Sequence, residues 1–87
     1  MIHVATDSII HAKARRDALA WLRYVAADPA GGRLDCVSAC EVRLAIEYGK
    51  PPSEGARAWL VRLCSSADPD VGDDARNAAR VARVVTE

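Results

Sequence analysis

The chain has no phenylalanine, and its only large rings are Trp21, Trp59, Tyr24 and Tyr48. Hydrophobic residues make up 51% of the sequence, but many of them are alanines. Because small side chains each bury little apolar area, the core should depend on the two tryptophans and on the Leu, Ile and Val residues. A chain of 87 residues makes one domain. At this size about 60–65% of the unfolded surface is buried, which predicts a modest core.

Neither sign of charge is in excess, since the chain has 12 basic and 12 acidic residues. A protein held on nucleic acid by bulk electrostatics usually shows a basic excess, so that class is disfavoured, although an enzyme that touches RNA briefly is not. Arg76, Arg80 and Arg83 have helical spacing and would form a basic stripe. A solvated face balanced by Asp73 and Asp74 is favoured over RNA contact.

Cysteine is scarce and odd in number, with Cys36, Cys40 and Cys64 only. No secretory leader precedes them, so they are interpreted as reduced thiols of a cytoplasmic protein. Together with His11 they imitate a zinc site, but the usual paired short spacings are missing, and small buried hydrophobes are the favoured interpretation. No apolar run approaches the roughly 20 residues of a membrane span, so no membrane association is predicted.

The pattern of apolar residues predicts two short strands and four helices. Ile2 and Val4 alternate with less apolar neighbours, which favours a strand over residues 2–6 and a helix over residues 8–27. A weaker alternation predicts a second strand over residues 34–39. Further helices are expected over residues 40–48 with Gly49 as the stop, from the cap Ser53 onward, and over residues 73–85.

This order predicts an α/β fold, with a short parallel β-sheet flanked by helices and joined by a right-handed βαβ crossover. The alternative is an all-α four-helix bundle, because both strand candidates are short and a two-stranded sheet is weak on its own.

Three carboxylates are candidates for one site. Asp7 follows the first predicted strand, and the carboxyl ends of strands are where open α/β folds place ligands. The second predicted strand leads into a helix that carries Glu41 and Glu47, so these acids are expected near Asp7. The plainer interpretation, which the residues alone favour, makes Asp7 a helix N-cap and the two glutamates surface acids.

Several short motifs together resemble the PIN-domain family, the Mg²⁺-dependent ribonuclease fold of VapC-type toxins. The chain opens with an apolar run ending in Asp7-Ser8, continues with a helix containing Trp21-Leu22, and later pairs Ser38-Ala39 with Tyr48-Gly49. The helices around Trp59 and Arg76 also resemble those of the family. The likeness covers nearly the whole chain, as a single PIN-like domain over residues 1–87 that lacks the C-terminal part of the family fold.

The resemblance implies a toxin ribonuclease that hydrolyses RNA phosphodiesters with Mg²⁺ (or Mn²⁺). Asp7 and Glu41 would be the catalytic residues, with Asp7, Glu41 and Glu47 as metal ligands. It also implies an antitoxin partner, an RNA substrate and a homodimer. However, the family's helix-borne Glu falls at Leu44 or Ala45, and Glu41 lies about 5 Å away, one helical turn. Activity is therefore expected to be weakened or lost.

Two other functions remain open. The first is a non-catalytic helical protein-interaction module that binds an antitoxin or another partner. The second is a helix-turn-helix DNA binder, which residues 44–60 faintly imitate. Pro51, Pro52 and Gly55 fit that motif poorly, and the absence of net positive charge also argues against it.

Overall fold

The fold is all-helical in the part of the chain that the structure describes. The structure is a computed structural model, and it describes residues 2–28 and 32–84, with side chains from His11 onward except those of residues 33 and 34. It contains four helices, α1 (Ile2–Ala27), α2 (Gly32–Tyr48), α3 (Glu54–Cys64) and α4 (Pro69–Ala82). None of the described residues forms a strand.

The predicted α/β fold with its short parallel sheet is therefore wrong, and the all-helical alternative is the one that the structure supports. Residues 2–6 begin α1, and residues 34–39 lie inside α2. The physical reason is clearest in α2, where Ser38, Ala39, Val42 and Ala45 are all buried. Steps of one, three and three residues trace one side of a helix, whereas a strand would bury alternate residues. Two alternating apolar residues, Ile2 and Val4, were too short a pattern to decide between the two periods.

Local signals fix several helix ends. α2 ends at Tyr48, as predicted, because Gly49 adopts a φ of 71° and its N–H donates to the Ala45 carbonyl at 2.9 Å. α3 begins after Ser53, whose hydroxyl accepts a hydrogen bond from the Ala56 N–H at 3.2 Å.

α4 begins earlier than predicted. The Asp68 carboxylate caps it by accepting from the Asp70 N–H at 3.0 Å, and Pro69 occupies the first turn. Asp73 and Asp74 consequently lie in the second turn and not at the start of the helix.

The core lies where α1, α2 and α3 converge, and its largest fully buried side chains are Leu22, Val42 and Leu60. The rings of Trp21 and Trp59 stack beside it with centroids 6.1 Å apart. The indole N–H of Trp59 donates to the Asp35 carboxylate at 2.8 Å, which ties α3 to α2. The predicted dependence on tryptophan and large aliphatic residues holds in part, because Trp21 is only partly buried and alanines supply half of the buried hydrophobic residues.

The fully buried residues by which α4 joins this core are all small. They are Gly72, Ala75, Ala78 and Ala79. A Cβ added to Gly72 would meet the Cys64 carbonyl oxygen at 3.5 Å, so the α4 backbone lies close to the end of α3. The Asn77 side chain donates to the Ala14 carbonyl of α1 at 3.0 Å. The backbone of α4 therefore lies close to the backbones of α1 and α3, with little room for larger side chains between these helices.

Candidate functional site

The two glutamates predicted as metal ligands have separate structural partners. Glu41 accepts a hydrogen bond from the Ser53 hydroxyl at 2.8 Å, at the start of α3. Glu47 pairs with Arg23 of α1 at 3.6 Å. Six residues along a helix correspond to roughly 9 Å of rise and a rotation of about 120°, so the two carboxylates point toward different neighbours. The structure does not bring them together at one point.

Asp7 lies within α1, so it neither ends a strand nor caps a helix, and both of those sequence interpretations are corrected. Its side chain is outside the described part of the structure. Among the residues that are described, no group of three or more His, Cys, Asp or Glu side chains is arranged to hold a metal ion. The roles of Asp7, Glu41 and Glu47 and the use of Mg²⁺ (or Mn²⁺) stay predictions.

All three cysteines are free thiols, and Cys64 is buried whereas Cys36 and Cys40 are half-buried. Burial raises the pKa of the Cys64 thiol above its ordinary 9.0, and the nearby Arg76 charge opposes this rise. A thiol with a raised pKa is a poor nucleophile at neutral pH, in agreement with its interpretation as a small hydrophobe.

One face of α2 exposes apolar side chains to solvent. Val37 is 50% exposed, Leu44 39% and Tyr48 69%. Their spacings of seven and four residues place them along one line of the helix, which we call the α2 stripe. Glu41 lies on the same face. Because the buried residues of α2 occupy a different face, this helix is apolar on two sides, of which the described residues cover only one.

A cleft of about 560 Å³ opens where the ends of α2 and α4 approach α1 and α3. Its apolar floor comes from α2, from the α2–α3 connector and from the end of α4. Four full positive charges line it, those of Arg15, Lys50, Arg57 and Arg83, and His11 is the fifth basic residue. We call this the basic cleft. The apolar residues of the floor are Ala45, Ile46, Pro51, Pro52, Val81, Ala82 and Val84.

The charge in the basic cleft is one-sided. No described acidic residue lines it, although the whole chain balances 12 bases with 12 acids. The ion pairs of the described residues use Lys13, Arg23 and Arg76, none of which lines the cleft. The carboxyl ends of α2 and α4 also reach this cleft, and each contributes about −0.5 charge. Among the described residues, about −1 from the two helix ends leaves most of the four positive charges uncompensated.

The end of α4 holds Arg83 in an unusual backbone conformation. Arg83 has φ 60° and ψ 41°, the only positive φ outside glycine among the described residues. The Arg83 N–H donates to the Arg80 carbonyl at 3.2 Å, and the Val84 N–H donates to the Ala79 carbonyl at 2.8 Å. These two bonds form a Schellman motif, in which glycine is the usual left-handed residue. A side chain there costs about 1–2 kcal/mol.

Sequence reasoning missed the basic cleft. Its charges come from three parts of the chain, around residues 15, 50–57 and 83, and only Arg83 belonged to a basic stripe that the spacing had indicated. The other three charges can be grouped only once it is known that the ends of α2 and α4 lie close together. The α2 stripe was detectable from the sequence, because Val37, Leu44 and Tyr48 keep a helical spacing once residues 34–39 are assigned to a helix.

Comparison with known proteins gives no relative for this chain. No family model matches it, and no curated protein and no solved structure matches it either. The resemblance to the PIN-domain family therefore stays a prediction, without the sheet that it implied. Within the described residues, no helix has the length and apolar character needed to cross a membrane.

Proposed function

We propose that the chain is a helical protein-interaction module, and that the α2 stripe binds an amphipathic helix of another protein. The single observation that supports this most is the second apolar face of α2. Buried side chains on one side of a helix are explained by the core, but Val37, Leu44 and Tyr48 have no role in that core. An apolar line with spacings of seven and four residues matches the pattern by which one helix recognises another.

The size of the stripe favours a single helix as the occupant. With one tyrosine two-thirds exposed and two aliphatic side chains about half exposed, it offers on the order of 300 Å² of apolar surface. A stable interface needs about 800 Å² from each partner, so the stripe would be the apolar centre of a small interface. An obligate homodimer usually buries a larger and more apolar area.

Charge at the stripe indicates the chemistry of the partner. Glu41 lies on the same face as the stripe, and Glu47 lies near its edge. A partner helix with apolar residues at helical spacing and Lys or Arg at one edge would meet Glu41, whereas Glu47 is already paired with Arg23. The antitoxin that the PIN resemblance implies is one protein that could supply such a helix.

The test is co-expression with the product of the neighbouring reading frame, followed by size-exclusion chromatography with light scattering. We expect a complex, and we expect Leu44→Glu to weaken it at least tenfold, because a charge would enter the apolar centre of the interface. Glutamate is a good helix former, so circular dichroism should show α2 unchanged. Tyr24→Ser is the matched control, because Tyr24 is 66% exposed but lies on α1.

Four results would contradict the proposal in different ways. A complex that survives Leu44→Glu would place the interface elsewhere on the chain. If Tyr24→Ser weakened binding as much as Leu44→Glu does, the binding would depend on exposed apolar side chains in general and not on the α2 stripe. A chain that stays monomeric and binds no neighbouring product would overturn the interaction function, and a homodimer sensitive to Leu44→Glu would replace the partner helix by a second copy.

A further inference from the structure

We infer that the basic cleft binds a small phosphorylated molecule, a phosphate ester that carries an apolar group. This goes beyond the proposed partner binding and does not depend on it, because no residue of the α2 stripe lines the cleft. The cleft volume of about 560 Å³ lies within the roughly 300–1,000 Å³ of ordinary small-molecule sites.

The charges specify an anion. Arg15, Lys50, Arg57 and Arg83 surround the cleft, and within the described part of the chain none of them is engaged in an ion pair or a side-chain hydrogen bond. These like charges converge without an acidic partner among the described residues and therefore repel one another, and an anion bound between them would relieve that repulsion. Three of the four are arginines, whose planar donors match phosphate oxygens two at a time.

The floor specifies the rest of the ligand. It is aliphatic, with Ile46, Val81 and Val84 among its members, and no amide or hydroxyl side chain lines the cleft. The cleft therefore suits a phosphate group at the rim and an apolar body on the floor.

The backbone at Arg83 is a second, independent observation. A left-handed arginine is less stable than a glycine at the same place, so this residue lowers the stability of the helix end while its side chain lines the cleft. Residues held in costly conformations cluster at functional sites. Glycine would close the same Schellman motif without the cost but would remove the charge.

The experiment is isothermal titration calorimetry of the full chain with hexyl phosphate, inorganic phosphate and hexanol. Hexyl phosphate should bind more tightly than inorganic phosphate by at least tenfold, and hexanol should not bind. Amide shifts in a ¹H–¹⁵N spectrum should cluster at Gly49 and Val84.

Matched variants distinguish binding in the basic cleft from nonspecific attraction of an anion to positive charge elsewhere on the chain. Arg57→Gln should weaken hexyl phosphate binding about tenfold, in line with the loss of a charged hydrogen bond. Arg62→Gln, on the same helix but outside the cleft, should change it less than twofold. Arg83→Gly should weaken binding while raising the urea midpoint, which a merely structural role for Arg83 would not do.

Several outcomes would overturn the inference. These are equal effects of Arg57→Gln and Arg62→Gln, equal binding of hexanol and hexyl phosphate, and no binding of hexyl phosphate at millimolar concentration. Affinity for single-stranded RNA that grows with its length, without binding of hexyl phosphate, would assign the cleft to nucleic acid instead. Circular dichroism of each variant shows whether the helices are retained, so a loss of binding can be attributed to the cleft.

Discussion

The hydrogen bond between Trp59 and Asp35 gives the most direct test of the helical fold. It joins the middle of α3 to a segment that the sequence pattern assigned to a strand, 24 residues earlier in the chain. The indole N–H donates at 2.8 Å, and Trp59 is only 3% exposed. Because this donor is buried, removal of the carboxylate would leave it without a partner.

The expected magnitudes follow from this burial. Asp35→Ala should lower the free energy of unfolding by about 1–3 kcal/mol, the cost of a buried donor left unpaired. The total free energy of unfolding of an 87-residue domain is roughly 4–13 kcal/mol, so the loss should be easily measured. In a Trp59→Phe background the donor no longer exists, and Asp35→Ala should then cost much less. The coupling between the two positions should be about 1 kcal/mol.

The assay is urea unfolding followed by circular dichroism at 222 nm, because the tryptophan change would alter fluorescence. Glu54→Ala, which removes an exposed acid on the same helix, is the control and should show no coupling to Trp59→Phe. If Asp35→Ala costs the same in both backgrounds, within about 0.3 kcal/mol, then α2 and α3 do not meet at this contact and the described packing is wrong.

Other predictions test α4 and the nuclease hypothesis. Ala78→Leu should lower the free energy of unfolding by about 1–3 kcal/mol in urea, because Ala78 is fully buried, whereas exposed Ala58→Leu should change it little. The pKa of Asp74 is raised above 3.8 by lost hydration and by the charges of Asp70, Asp73 and Asp17, so the ionised form costs stability as the pH rises above that value. Asp74→Asn should therefore raise the melting temperature at pH 7, and a gain that persists at pH 3 would contradict this cause. If the PIN resemblance extends to activity, RNA should be cleaved with Mg²⁺ or Mn²⁺ and Asp7→Asn should abolish it, and no cleavage at high protein concentration would contradict the hypothesis.

The parts of the fold that sequence could predict are those fixed by neighbouring residues. Ser53 and Gly49 signalled a helix start and a helix stop because a hydroxyl or a positive φ satisfies backbone groups within a few residues. Each of these signals acts within one or two turns of a helix.

The parts that failed depend on contacts between distant segments. Residues 34–39 carry a weak alternation, and only the burial of Ser38 and Ala39 against other helices shows that the helical period prevails. Glu41 and Glu47 were grouped as ligands, but their partners, Ser53 and Arg23, could not be known without the packing. The basic cleft was missed for the same reason, since its charges meet only after four helices assemble.

The bond from Asn77 to the Ala14 carbonyl spans 63 positions of the chain. During synthesis, α1 therefore emerges long before the helix that covers it. Until α4 is made, the side of α1 that α4 covers is exposed to water or bound by a chaperone. Closing so long a loop is entropically costly and slows the final docking step. A nascent chain arrested ahead of Pro69 should accordingly remain open to proteases at α1, whereas the released protein should resist them.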